Sequence, residues 1–436
     1  MGVVSCGTTM LDQGVFENIG AVTWDTTPKT TTFSAVNGNG YFVNTTAGVV
    51  TVNLPAGVAG NIVSMSDYAA TWQTNNVTVT PNGSEKIGSI NASVTLNTEG
   101  QSVTLVYVDS TQGWINTMDS TSNVRGNPYI VATGGTITCC GDYKTHTFTG
   151  PGTFAVTTAA ISAPNNVVDY LVIAGGGGAA GDRAGGAGAG GFRVSNSLGC
   201  IPAPTMSPLV NPSGLTVSAT SFPIIVGSGG GGAPGPSVGT NGGVSTFSTI
   251  TSAGGGASKP NCVGGGSSGG SGSGAHGPGT GAAGNTPPVS PPQGNNGGNA
   301  VGAPQYAAGG GGGAGAVAGN GSGGTGGAGG AGSFIADAFI KTACAPSYGT
   351  PGPVSLTRYF SGGGGGSFFG VPAPGAGGVG GVGGGGAGAS SSGCRNGIAG
   401  TINTGGGGGG GATFPGTGGV GGSGGSGIVI IRYKFQ

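Results

Sequence analysis

Glycine constrains this chain more than any other feature. Of its 109 glycines, 19 fall in residues 1–173 and 90 in the 263 residues from 174 to 436, about one in three. Runs such as Gly175–Gly178, Gly309–Gly313, Gly362–Gly366 and Gly405–Gly411 leave almost no side chains for a core. Glycine also loses more conformational freedom on ordering than any other residue. At roughly 1 kcal/mol or more per residue, fixing all of these costs on the order of 100 kcal/mol. Side-chain burial cannot offset that, so the stretch is either a flexible tether or a structure made by its own backbone.

The runs lack the strict G-X-Y period of collagen. Abundant Gly and Pro without a period ordinarily means disorder, yet three features favour order. Bulky interludes return: "SFIADAFIKTACAPSYGTPGPVSLTRYFS" at 333–361, "SFFGVPAPG" at 367–375 and "ATFPG" at 412–416. Apolar strand-like segments bracket the region. Between 184 and 427 the only charges are Arg193, Lys259, Asp337, Lys341, Arg358 and Arg395. The expectation is an ordered bundle of polyglycine-II helices, left-handed, with three residues per turn and about 3.1 Å rise. Neighbouring threads would exchange N–H···O=C bonds with no Cβ to hold them apart, and Ala and Ser would occupy outward-facing positions.

Upstream the character is different. Residues 33–120 are short runs rich in Val, Thr, Tyr and Ile, broken every 8–12 residues by turn signals such as Asn-Gly, which predicts an antiparallel, sandwich-like β domain of about seven strands. Alternation is clear over Val49–Leu54 and at Val103, Leu105 and Tyr107. "PNGS" at 81–84 reads as a hairpin turn. Tyr41, Tyr68, Trp72, Tyr107 and Trp114 supply most of the aromatic area for a core. Residues 1–32 carry weak signals and read as an N-terminal attachment segment. In 121–173, Thr145–Phe148 and Thr153–Val156 flank "TGPG" as a second hairpin, and Val167–Ile173 reads as a strand covered on both faces. "FPIIVG" at 222–227 and "GIVIIRYKF" at 427–435 are expected to join Leu171–Ile173 in one sheet. The fold class is therefore mainly β, with the glycine-rich part, 174–436, closed by strand 427–435.

Several functions are disfavoured. Twelve basic and twelve acidic residues give no net charge and no footprint for nucleic acid. No apolar stretch is long enough to span a bilayer, and no basic segment followed by an apolar core marks a secretory signal. Seven cysteines include no C-x-x-C pair; Cys200, Cys262, Cys344 and Cys394 are free thiols or loop staples, with the pairing open. G-x-G-x-x-G matches are inevitable at this glycine density and precede no helical pattern. Of two histidines, His146 sits in a strand and reads as a satisfied structural residue; His276 lies in "GSGAHGPG". Neither stands among carboxylates suited to catalysis. No enzyme activity, cofactor or metal is expected.

The motifs "HTFTGPGTFAV", "VDYLVIAGGGG", "GGAGAGGFR", "IIVGSGGGG" and "GGSGGSGIVIIRY" together resemble the glycine-rich domain of bacteriophage virion structural and tail-fibre proteins, notably of marine and cyanobacterial phages. The resemblance covers roughly 141–436. Residues 39–114 are similar to a β module that recurs upstream in such fibres. A related architecture, layered polyglycine-II helices carrying variable loops, is known from adhesins at the tips of T-even-like long tail fibres. The resemblance implies a virion component on the tail or capsid surface, docked through its N-terminal region to other virion proteins and meeting a host glycan or outer-membrane protein. It also implies a homotrimer, with a tail fibre or adhesin as the first reading and a capsid decoration or head fibre as the second. Aromatics and Arg are favoured at recognition surfaces. The candidate receptor contacts are Phe334, Phe339, Tyr348, Arg358, Tyr359, Phe360, Phe368 and Phe369, with Tyr306 and Phe414 as further loop aromatics. Their other possible role is to fill space between glycine layers and loops.

Overall fold

A computed structural model describes residues 22–120, 129–160, 162–198, 201, 205–260, 265–340, 348–369, 375–390, 395–412 and 419–436, preceded by the backbone of two short strands. The chain forms two compact units, Met1–Arg125 and Gly126–Gln436.

In the first unit β1 (Val4–Ser5) pairs with β2 (Thr8–Thr9). Then come β3 (Thr23–Lys29), β4 (Phe33–Ser34), β5 (Asn39–Val43), β6 (Val50–Asn53), β7 (Ile62–Asp67) and β8 (Val77–Thr80). They alternate between two sheets, so β3, β5 and β7 run parallel in one and β4, β6 and β8 run parallel in the other. β9 (Val94–Leu96) then turns back beside β8, and β10 (Ser102–Asp109) and β11 (Gly113–Ser120) add an antiparallel hairpin to β7. The antiparallel expectation is thus corrected for the first six of these strands. Alternation with period two reports which face is buried, and that pattern is the same for both strand directions. β3 also places part of the expected attachment segment inside the sheet.

Val50, Val52 and Leu54 point inward to meet Tyr41, Val63, Met65, Trp72, Val103, Leu105, Tyr107 and Trp114 in one core. Tyr68 lies exposed instead. The turn at 81–84 forms, with Gly83 at φ +54°. It opens a long connection from β8 to β9 rather than a tight hairpin.

The second unit contains β12 (Val131–Thr133), β13 (Thr136–Cys140), β14 (Tyr143–Phe148), β15 (Gly152–Thr158), β16 (Val167–Ile173), β17 (Phe192–Ser195), β18 (Val210–Asn211), β19 (Leu215–Thr216), β20 (Ser221–Ile225), β21 (Ser245–Phe247) and β22 (Ile250–Ser252). β23 (Ser333–Ala336), the short α1 (Asp337–Ile340), β24 (Thr357–Phe360) and β25 (Ile428–Lys434) complete it. One sheet has the order β13-β14-β25-β16-β17-β18, with β19 also on β16; the other is β12-β15-β20-β21-β22.

The inbound strand β16 and the closing strand β25 are antiparallel neighbours, Leu171 opposite Ile430 and Ile173 opposite Ile428. Both are buried on two faces. Tyr170, Val172, Val429, Ile431 and Tyr433 face a core shared with Phe154, Ile224 and Phe247. Leu171, Ile173, Ile428 and Ile430 face a second core with Phe192, Ile335, Phe339 and Phe360. That is why both strands read as unbroken apolar runs.

Two expectations fail here. β14 and β15 do not pair: the "TGPG" turn carries the chain from one sheet to the other. β20 likewise joins β15 and β21 rather than β16. In each case a turn that crosses between sheets has the same local chemistry as one that closes a hairpin.

Candidate functional site

The glycine runs lie outside any strand or α-helix, yet their amides are paired laterally. Ala174 and Gly177 donate to Gly191 and Gly188 (3.1 and 2.9 Å). Gly175 and Gly178 donate to Gly243 and Thr240 (3.0 and 2.9 Å), and Gly176 and Ala179 to Gly425 and Gly422 (both 2.9 Å). Every third residue therefore returns to the same neighbour.

Run 184–191 shows the full environment of an interior thread. It donates to 405–411 through Ala184, Ala187 and Gly190, to 309–312 through Gly186 and Ala189, and to 253–256 through Gly188 and Gly191. It accepts from Ala174 and Gly177, from Ser271 and Gly274, and from Gly364 and Ser367. Three neighbours receive from it and three others give to it.

At many of the bonded glycines such spacing admits no side chain. A Cβ on Gly186 would run into the carbonyl of Gly364, and one on Gly177 into that of Gly256. The expected outward placement of Ala and Ser does not hold. Ala179, Ala180, Ala184, Ala187 and Ala189 are fully buried, as are Ser258, Ser271 and Ser273. Their small side chains fill gaps between threads. Ser258 Oγ, for instance, accepts from the Ala180 amide at 3.0 Å.

The threads have two unlike ends. Run 174–180 leaves β16 and run 184–191 returns to β17, so the turn at 181–183 lies away from the sheets. Around it gather the turns next to residues bonded to Ala184 and Gly186, namely 276–279 after Gly274, 301–306 before Gly309, and Phe368–Phe369 after Ser367.

The sequence candidates divide between these ends. β23 and β24 pair antiparallel and, with α1, cover the larger sheet. Phe339 and Phe360 are fully buried there, and Tyr359 is buried, its ring centre 5.1 Å from that of the half-buried Phe334 and tilted 38° to it. Arg358 is half-buried, its Nε 3.7 Å from Asp337 Oδ1, and Tyr348 packs at the edge of the same core. Phe368 is buried beyond the far end of thread 361–367, against Gly375. Phe369, next to it, is half-exposed. Phe414 lies outside the described residues.

At that far end the structure assembles a group that sequence reasoning missed. The Arg183 guanidinium lies 4.3 Å from the centre of the Phe369 ring and 4.6 Å from that of Tyr306. Asp182 Oδ1 stands 3.8 Å from Arg183 Nε. His276 is close enough that Lys259 opposes its protonation and Asp182 favours it, while burial pushes its titration down most. The available signal was "GDRAGG", a charged pair breaking a run otherwise free of charge.

His146 is a fully buried strand residue. The Gly134 carbonyl, 2.7 Å from Nδ1, can only accept, so Nδ1 carries the proton and Nε2 accepts from Tyr433 Oη at 3.0 Å. Burial lowers the pKa to about 4. Among the described residues no group of three His, Cys, Asp or Glu could hold a metal, and no helix is long and apolar enough to cross a membrane. Cys139 is an exposed free thiol and Cys140 is disulfide-bonded. Cys200, Cys262, Cys344 and Cys394 lie outside the described residues.

No curated protein matches the chain. A family described as a glycine-rich domain matches residues 147–434. The match starts in β14 and ends on the last residue of β25, two adjacent strands of one sheet, so it takes in every glycine thread. The chain belongs to this glycine-rich domain family.

Proposed function

We propose that the protein is a non-enzymatic bacteriophage virion component, a tail fibre or adhesin that contributes to host attachment. In this reading the glycine region is a bundle of polyglycine-II helices. The observation that carries it is the lateral pairing in which every third amide returns to the same neighbour, the periodicity of that helix. A scaffold of this kind is bland along its sides and presents chemistry only where threads turn, which suits loops held out for recognition.

The far-end group of Arg183, Tyr306 and Phe369 is the recognition surface in this reading. Host glycan or outer-membrane protein is the partner, the first unit docks to other virion proteins, and the assembly is a homotrimer that multiplies weak contacts. The sequence motifs bracketing the threads support the phage assignment.

The test uses purified full-length protein on a panel of marine cyanobacterial cells. Saturable binding that competes with phage adsorption, and that is weakened at least about tenfold in the double variant Arg183→Ala/Phe369→Ser, is expected; tenfold corresponds to about 1.4 kcal/mol. Absence of binding, with immunogold label on particle heads, overturns the attachment role and leaves a capsid decoration.

A further inference from the structure

A second site lies on the first unit and is independent of the glycine threads. The outer face of the five-stranded sheet holds a cavity of about 560 Å³, within the size range of small-ligand sites. We infer that it binds a neutral saccharide.

One wall is Trp24. Its indole lies over Gly40, its register partner on β5, where a Cβ would come within 2.7 Å of the ring. Phe42 supports it from the side, ring centres 5.0 Å apart. The indole is thus held in place and still 41% exposed. A flat apolar face fixed in advance can stack on a sugar ring with little loss of entropy.

The floor supplies the matching polar groups. Ser64 and Thr104, register partners on β7 and β10, are buried with their hydroxyls 2.8 Å apart. Two hydroxyls carry two protons and their mutual bond uses one. The other has no acceptor among the described residues, so it calls for one from a bound molecule. Ser102, two residues before Thr104 on β10 and on the same face, adds a further hydroxyl to the lining. No Lys, Arg or His lines the cavity, which disfavours anions, and the hydroxyl floor disfavours an alkyl chain.

Fluorescence reads this site directly. Trp72 and Trp114 are fully buried, so Trp24 is the one solvent-reachable indole of the chain's three. Acrylamide quenching of the full-length protein is measured with glucose, galactose, mannose, N-acetylglucosamine or choline. At least one sugar is expected to protect Trp24 saturably, roughly halving the quenching constant, and choline to give none. Ser102→Ala and Thr104→Val should each weaken that sugar's apparent affinity about tenfold, as expected for loss of one hydrogen bond in a partly buried site. No protection by any of the four sugars overturns the inference. So does protection by choline, which would make the site one for cations, or binding left unchanged in both Ser102→Ala and Thr104→Val.

Discussion

Asp169 and Arg432 are register partners across β16 and β25, and both are buried, with Arg432 Nη1 3.7 Å from Asp169 Oδ2. The pair joins the strand that begins the glycine excursion to the strand that ends it. Asp169 also accepts from Ser195 Oγ (2.8 Å), Ser197 N and Oγ (2.8 and 2.9 Å) and the Leu198 amide (2.9 Å). Arg432 donates to the Leu198 carbonyl at 3.0 Å, its guanidinium 3.7 Å from the centre of the Tyr143 ring.

Removing one partner strands the other charge in the interior. Asp169→Ala is expected to destabilise the second unit by about 3–5 kcal/mol, read from the denaturant midpoint. A loss below about 1 kcal/mol would show that the pair does not hold the two strands together.

His146 sets an acid limit. Folded, it titrates at about 4 against an ordinary 6.5, so between those values the unfolded chain binds the extra proton. Stability is fully present above about pH 6.5, declines as the pH falls toward 4 and levels off below. The difference corresponds to roughly 3 kcal/mol. Denaturant midpoints from pH 7.5 to 3.5 should show this slope, and His146→Phe should flatten it in that window.

Lateral pairing makes glycine obligatory where a neighbouring carbonyl occupies the Cβ position, and optional at turns with open space and an ordinary φ. Gly186→Ala forces a methyl against the Gly364 carbonyl and should cost about 1–3 kcal/mol. Gly324→Ala, with open space around its Cβ position, should stay within about 0.5 kcal/mol of the parent. Equal melting temperatures for the two variants would contradict the thread geometry.

Amide exchange tests the same pairing without mutation. Gly176, Gly186, Gly188 and Gly408, each bonded across threads, should exchange far more slowly than the turn at 276–279. Uniformly fast deuterium uptake across 174–427 would mean that the threads do not pair.

What could be read from sequence was whatever depends on local periodicity. Val50, Val52 and Leu54 are buried on one face as their alternation implied, and the apolar runs ending at Ile173 and beginning at Ile428 are adjacent strands. Strand direction in the first unit was not legible, nor was the separation of β14 from β15, because both are settled by which sheet a turn leads to. The aromatics of 333–361 were ambiguous for another reason. Phe339 and Phe360 have the composition of a recognition surface, and only the depth of the sheet beneath them reveals a lid. Conversely Arg183 gave little signal alone, since its partners Tyr306 and Phe369 arrive from turns more than a hundred residues downstream.

A solid made of peptide groups should also respond to temperature in its own way. Melting the threads exposes mostly amide, and polar exposure lowers the heat capacity of unfolding where apolar exposure raises it. Per residue, the increment should fall below the usual 12–15 cal/mol/K or so. The stability curve is then broad and flat, so the protein would keep nearly constant strength from cold water to warm.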